Sequence, residues 1–131
     1  MSHSVVLLVD DEKTVLDSLR NQLRALSGHR LRCETAEEVV EALEVLQELI
    51  DEDEEPVILV VSDWLMPGTR GDAFLSEVAT RYPNIVRVML TGQADASALA
   101  RVRNEKLAHL ILHKPWSQAD LQSALDLALV R

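Results

Sequence analysis

One cysteine in 131 residues, Cys33, leaves no partner for an internal disulfide and too few thiolates for a structural zinc site. Cys33 itself reads as a small buried or half-buried side chain. Aromatic residues are scarce, with two Trp, one Tyr and one Phe, so the core must be aliphatic. Basic charge is also short: 13 Lys and Arg face 22 Asp and Glu, for a net charge of −9. Such a surface repels nucleic acid and anionic lipid, which argues against direct DNA binding. No apolar run reaches the ~20 residues of a membrane span. The start, Met1-Ser-His-Ser-Val5, has no basic segment leading into a signal-length apolar region. The expected location is the cytoplasm, with no membrane partner.

What is present suits one domain over residues 1–131. The chain is 47% hydrophobic and 27% charged, and a chain of this length buries roughly 65–70% of its unfolded surface without staples. The central stretch is Val57-Ile-Leu-Val-Val-Ser-Asp63, an unbroken apolar run rich in β-branched residues, as in a strand buried on both faces of a parallel sheet. It stops at an acid, and Pro67-Gly68 then turns the chain. Val5 to Val9 is a second such run, and it ends in Asp10-Asp11. From Glu12 the spacing becomes helical, with Val15, Leu16, Leu19, Leu23 and Leu26 on one stripe and Gly28 as the stop.

Leu31 to Glu34 reads as a short strand. Thr35 with Glu38 forms a capping-box pattern, opening a helix with Val39, Ala42, Leu43, Leu46, Leu49 and Ile50 on its buried face. Asp51 to Glu55, before Pro56, reads as a solvated acidic loop. A helix follows from Gly71-Asp72 to Tyr82-Pro83, then a strand Val86 to Leu90 that stops at Thr91-Gly92. A helix over about Ala94 to Asn104 precedes a fifth strand, Ala108 to His113, which finishes at Lys114-Pro115. Ser117 with Asp120 caps a last helix carrying Leu121, Leu125 and Leu129. Strand and helix alternate five times, which predicts an α/β, flavodoxin-like, doubly wound five-stranded parallel sheet of order 2-1-3-4-5, with helices on both faces.

Each polar residue just named ends a strand on one rim: Asp10 and Asp11 after the first, Asp63 after the third, Thr91 after the fourth, Lys114 after the fifth. In that strand order the three acids converge at the switch point. They stay ionised together only beside a cation, and hard oxygen ligands with open water positions suit Mg2+. Asp63, alone at the end of the central strand, is the expected nucleophile. Transfer of a phosphoryl group to its carboxylate fits the set, because the group in transit spreads charge over three equatorial oxygens. Mg2+, the Lys114 ammonium and the Thr91 hydroxyl with nearby backbone N–H groups would each take one.

The chain resembles the receiver domains of two-component response regulators over its whole length. The matching residues are Val9-Asp10-Asp11-Glu12, Ser62-Asp63-Trp-Leu-Met66-Pro67-Gly68 with Gly71, Leu90-Thr91-Gly92, and Lys114-Pro115-Trp116. The resemblance implies phosphorylation of Asp63 by a sensor histidine kinase or phosphotransfer protein. It implies Mg2+ bound by Asp11, Asp63 and the Leu65 backbone carbonyl, with Asp10 acting mainly through water, and a cis Lys114-Pro115 peptide. It implies a domain that catalyses only its own phosphorylation and slow dephosphorylation, and that acts on an output domain or effector protein. A phosphorylation-linked dimer is one oligomeric outcome. The wording around Thr91 and Lys114 looks most like receivers fused to cyclic-nucleotide or cyclic-dinucleotide enzymes. One position departs from the pattern. Three residues before the lysine the family carries an aromatic ring that moves when the hydroxyl equivalent to Thr91 is pulled toward the phosphate, and here Ile111 stands there.

Plainer explanations exist residue by residue. Asp10-Asp11 could cap a helix, Thr91 could be turn chemistry, and Lys114 an exposed charge. Trp64 and Trp116 read as packing beside the rim, with Trp64 placed to report metal binding. His109 and His113, about 13 Å apart at ~3.3 Å per residue, cannot share a metal and read as surface or partner-facing. Arg101 and Arg103 read as a solvated basic face. Two other functions compete with the phosphorylation switch. A phosphatase of the haloacid dehalogenase type needs a second Asp two residues after the nucleophile, where this chain has Leu65. A phosphorylation-independent interaction module would have no need to hold three repelling carboxylates together.

Overall fold

The computed structural model describes residues 4–28, 30–64, 66, 70–92 and 96–130. Five strands, β1 (Ser4–Val9), β2 (Leu31–Ala36), β3 (Val57–Asp63), β4 (Val86–Thr91) and β5 (Leu110–His113), alternate with helices α1 (Lys13–Ser27), α2 (Val39–Leu46), α3 (Gly71–Arg81), α4 (Ala96–Asn104) and α5 (Gln118–Val130). All four strand pairings are parallel and the order is β2-β1-β3-β4-β5, as expected.

Side chains of the central strands alternate between two aliphatic layers, the period-two consequence of the pleat. Leu7, Val9, Val60 and Met89 pack with Val39, Ala42 and Leu46 of α2, Phe74, Leu75 and Val78 of α3, and Ala98 and Val102 of α4. Val6, Leu8, Leu59, Val61, Val88 and Leu90 pack with Leu16, Leu19 and Leu23 of α1 and Leu121, Ala124 and Leu125 of α5. Burial on both faces is why β1 and β3 read as continuous apolar runs. Cys33 is half-buried, as expected.

Several local expectations are corrected. Thr35 does not open α2: it lies inside β2, paired with Leu8, and α2 starts at Val39 without a side-chain cap from Glu38. The Glu41 carboxylate accepts the Glu37 N–H at 2.7 Å instead. The acidic run is not all loop. The helix continues past Leu46 through a wider turn, Gln47–Glu52, closed by the Asp53 N–H on the Glu48 carbonyl (2.9 Å), which keeps Leu49 buried. At α5, by contrast, the capping box forms in both directions: Ser117 Oγ accepts the Asp120 N–H and Asp120 Oδ2 accepts the Ser117 N–H, each at 3.0 Å. Gly28 ends α1 at φ +66°, as its position suggested.

Two surface assignments also change. His109 is half-buried; its Nδ1 accepts the Arg87 N–H at 2.9 Å and its own N–H reaches the Arg87 carbonyl at 2.7 Å, so it extends the β4–β5 ladder. His113 is exposed. Arg101 is half-buried and bonded to Asp72 and Glu105, whereas Arg103 is exposed.

Candidate functional site

Parallel strands of unequal length but common direction bring their C-terminal ends to one rim. Asp10 follows β1 directly, Asp63 is the last residue of β3, Thr91 the last of β4, and Lys114 follows β5. Asp10, Asp63 and Thr91 are buried, Asp11 is exposed, and Lys114 is partly buried. Ile111 is half-buried in the layer that holds Trp64 and Met66. Leu65, Pro67 and Gly68 lie outside the described residues.

Lys114 is the hub. Its Nζ lies 3.0 Å from Asp10 Oδ2 and 3.1 Å from Asp63 Oδ1, so one ammonium spans the gap between β1 and β3 from the far edge of the sheet. Its backbone N–H bonds to the Thr91 carbonyl at 2.9 Å, and the Lys114-Pro115 peptide is cis. The other oxygen of Asp10 accepts the Glu12 N–H at 2.8 Å at the start of α1. Asp10 is thus not the cap of α1, whose N-cap is Glu12 without a side-chain bond: one Asp10 oxygen closes a turn two residues long and the other serves the lysine.

Burial disfavours the charged form of both acids. It holds the Asp10 carboxyl above its ordinary 3.8, against the Glu12 amide and Lys114, which pull it down; Asp63 adds to the rise. Burial likewise raises Asp63, opposed by Lys114 and reinforced by the charge of Asp11. For Lys114 burial acts to lower the pKa, but the bonds to Asp10 and Asp63 outweigh it and the net shift is upward from 10.5. The site is thus a pair of reluctant carboxylates kept close by one cation, with a further acid at the solvent side. A second, divalent cation would relieve the same repulsion.

Among the described residues, the carboxylate oxygens that lie within 4.8 Å of one another belong to Asp10, Asp11 and Glu12, and Asp63 is not in that group. Glu12 was not among the expected ligands. It directly precedes α1, and its place beside two acids was the available signal. Trp64 is buried, and the Arg70 guanidinium lies 5.0 Å from its ring centroid. Trp116 is half-buried and its indole N–H bonds to Gln22. Gly71 approaches the backbone of Asp63 so closely that a Cβ there would sit 2.0 Å from the Asp63 carbonyl oxygen.

A doubly wound parallel sheet with two acids and a lysine gathered at its switch point places the protein in the class of open α/β domains whose ligand site is the C-terminal rim of the strands. The family model for the response regulator receiver domain matches residues 6–126, and the chain belongs to that family. It is 34% identical over 113 residues to the hydrogenase transcriptional regulatory protein HoxA of Cupriavidus necator, covering 86% of this chain and 21% of that protein. It is 34% identical over 123 residues to the sensor kinase CckA of Brucella abortus, covering 93% and 12%. With the DNA-binding transcriptional regulator NtrC of Escherichia coli K12 the identity is 34% over 98 residues, covering 75% and 19%. The chain spans about a fifth or less of the length of these relatives.

Among solved structures, the receiver domain of an HD domain-containing protein from Pseudomonas fluorescens Pf-5 superposes with a TM-score of 0.83 at 30% identity, over 98% of this chain and 95% of that one. An adenylate cyclase structure from Rhodopirellula baltica gives 0.81 at 26%, over 98% and 88%. Among the described residues no helix is long and apolar enough to cross a membrane.

Proposed function

We propose that this domain is the phosphoacceptor module of a cytoplasmic His-to-Asp relay. It takes a phosphoryl group from a sensor histidine kinase or phosphotransfer protein onto Asp63, and thereby changes its contact with an output domain or effector. The observation that carries the reading is the Lys114 ammonium held between Asp10 and Asp63. A carboxylate lifted above its ordinary pKa by burial, with an ammonium 3.1 Å away, is a nucleophile whose cationic partner can shift to an incoming phosphoryl oxygen. The donor set fits a hard divalent ion. On the receiver pattern Asp11, Asp63 and the Leu65 carbonyl would hold Mg2+, with Asp10 acting through water; the gathering of the Asp10, Asp11 and Glu12 carboxylates supports a cation there. Bound there, Mg2+ supplies charge neutralisation for the phosphoryl oxygens. Thr91, buried at the end of β4, would donate its hydroxyl to the third oxygen.

Proteins as differently named as a hydrogenase transcriptional regulator, a sensor kinase and an adenylate cyclase share this build, which suits a switch whose output is set by what it contacts. The test is tryptophan fluorescence on the wild type and Asp63→Asn. Mg2+ should quench the Trp64 signal, and a small-molecule phosphodonor or beryllofluoride should add to the effect in wild type only. Equal responses from both proteins would sink the reading in favour of a phosphorylation-independent interaction module. Sustained turnover of external phosphoesters would favour a phosphatase.

A further inference from the structure

Asp72, in the first turn of α3, has a fully buried side chain. Its Oδ2 accepts from two guanidinium groups, Arg70 Nη2 at 3.1 Å and Arg101 Nη1 at 2.8 Å. Its Oδ1, equally buried, has no hydrogen-bond partner among the described residues. A carboxylate pairs most strongly with arginine when both oxygens are used. Asp72 instead holds two cations on one oxygen and keeps the other in reserve. Withdrawal of one arginine would leave the carboxylate free to close a two-oxygen pair with the other.

The two arginines belong to different parts of the molecule. Arg70 immediately precedes α3 and lies over the ring of Trp64, the residue that follows Asp63. The Gly71 N–H bonds to the Trp64 carbonyl at 2.8 Å, which ties the start of α3 to the end of β3. Arg101 projects from α4 and is braced by Glu105 at 3.0 Å. Asp72 is thus the point where the chain leaving Asp63 meets α4. Ile111, packed in the same layer as Trp64, Ala98 and Val102, offers no ring to reorient.

Resting on the reading of Asp63 as phosphoacceptor, we propose that Asp72 is a positioning residue that passes the state of Asp63 to α4. A change at Asp63 that moves Trp64 and its stacked Arg70 hands the Asp72 carboxylate to Arg101, and α4 is drawn onto α3 through a two-oxygen pair. Coupling of this kind is reciprocal, so a change at the α4 end alters affinity at the Asp63 end by the same factor.

The experiment uses the full chain with Mg2+ and beryllofluoride. Affinity is followed by calorimetry and α4 by backbone amide exchange, in wild type, Arg101→Gln, Arg70→Gln and, as a charge control on the same helix, Arg103→Gln. The arginine variants are preferred to Asp72→Asn because they leave the buried carboxylate one partner. Circular dichroism checks that each variant is folded. Wild type should show altered α4 exchange on loading. Arg101→Gln should change beryllofluoride affinity by at least about fivefold and lose that α4 response. Arg70→Gln should show the loaded α4 pattern with no ligand present, and Arg103→Gln should match wild type. The proposal is overturned if Arg101→Gln keeps both the affinity and the α4 response of wild type, if Arg70→Gln leaves unloaded α4 unchanged, or if Arg103→Gln reproduces the Arg101 effect. A wild type that binds no beryllofluoride removes the phosphoacceptor reading and this coupling with it, an outcome distinct from a wild type that binds and an Arg101 variant that behaves identically.

Discussion

The backbone of Gly71 lies against the backbone of Asp63 with no room for a side chain: a Cβ on Gly71 would stand 2.0 Å from the Asp63 carbonyl oxygen and 3.0 Å from the Trp64 Cα. Both obstacles are main chain, which cannot swing aside as a flexible side chain can. Gly71→Ala must therefore displace either the start of α3 or the end of β3. We expect it to cost roughly 1–3 kcal/mol or more, read as a lower urea midpoint at unchanged slope. It should also weaken the Mg2+ response at Trp64. An alanine variant with wild-type stability would show that the segment yields without strain.

The raised carboxyls set a pH dependence whose sign is opposite to that of salt-bridged surface acids. Asp10 and Asp63 sit above 3.8 in the folded protein because of burial, so between 3.8 and their folded values the native state holds more protons than the unfolded chain. Their contribution to stability falls as pH rises through that window, and the penalty is complete above it. Lys114, raised above 10.5, contributes in full at lower pH and is lost only as pH climbs through its folded value. Without metal, Asp63→Asn should therefore melt higher than wild type at neutral pH and show a shallower rise in melting temperature on mild acidification. Mg2+ at about 100 times its Kd should add roughly 2.7 kcal/mol to wild type and less to the variant. A variant that melts lower than wild type at neutral pH would mean that losing the Lys114 partner outweighs the relief of burial.

How far the sequence could be read depended on whether a feature was local. Unbroken apolar runs betrayed β1 and β3. An acid at the end of each, with Thr91 and Lys114 at the ends of β4 and β5, marked one rim, because parallel strands share a direction. Thr35 and Glu38 misled because a cap motif is only a local preference: pairing of Thr35 with Leu8 in the ladder prevailed. Asp51 and Glu52 looked like loop, yet burying Leu49 extends the helix through them. The Asp72–Arg101 pair spans 29 positions and the Arg87–Leu107 contact 20, and no periodicity signals either. Buried charge of this kind is visible only once the chain is folded.

Two serine/threonine capping patterns, one formed and one not, give a paired prediction. Ser117→Ala removes the acceptor for the Asp120 N–H at the start of α5 and should cost about 1 kcal/mol. Thr35→Ala removes no cap, since Thr35 is a strand residue, and should change stability only by the smaller amount typical of strand preference. Chemical denaturation of the two single variants decides the matter. A larger loss at Thr35 than at Ser117 would contradict the assignment of both helix starts.

Arg87 carries the largest structural stake outside the rim. It lies in β4 with the residue 7% exposed, and its guanidinium donates to the carbonyls of Leu107 (2.8 Å), Ile85 (3.0 Å) and Lys106 (3.3 Å). The Lys106 and Leu107 carbonyls lie in the turn from α4 into β5 and that of Ile85 just before β4, so a cation planted in a central strand satisfies acceptors of two connections. Arg87→Met keeps much of the stem's bulk but strips the donors, leaving several carbonyls short of a partner at about 1–3 kcal/mol for each that water cannot reach. We expect a total loss of roughly 2–5 kcal/mol and faster amide exchange at Leu107 and His109, with Asp63 still able to bind beryllofluoride wherever the variant remains folded. If Arg87→Met were as stable as wild type, solvent would have to enter the α4–β5 turn. Exchange at those two amides would then reveal that directly, since they lie on the segment Arg87 holds down.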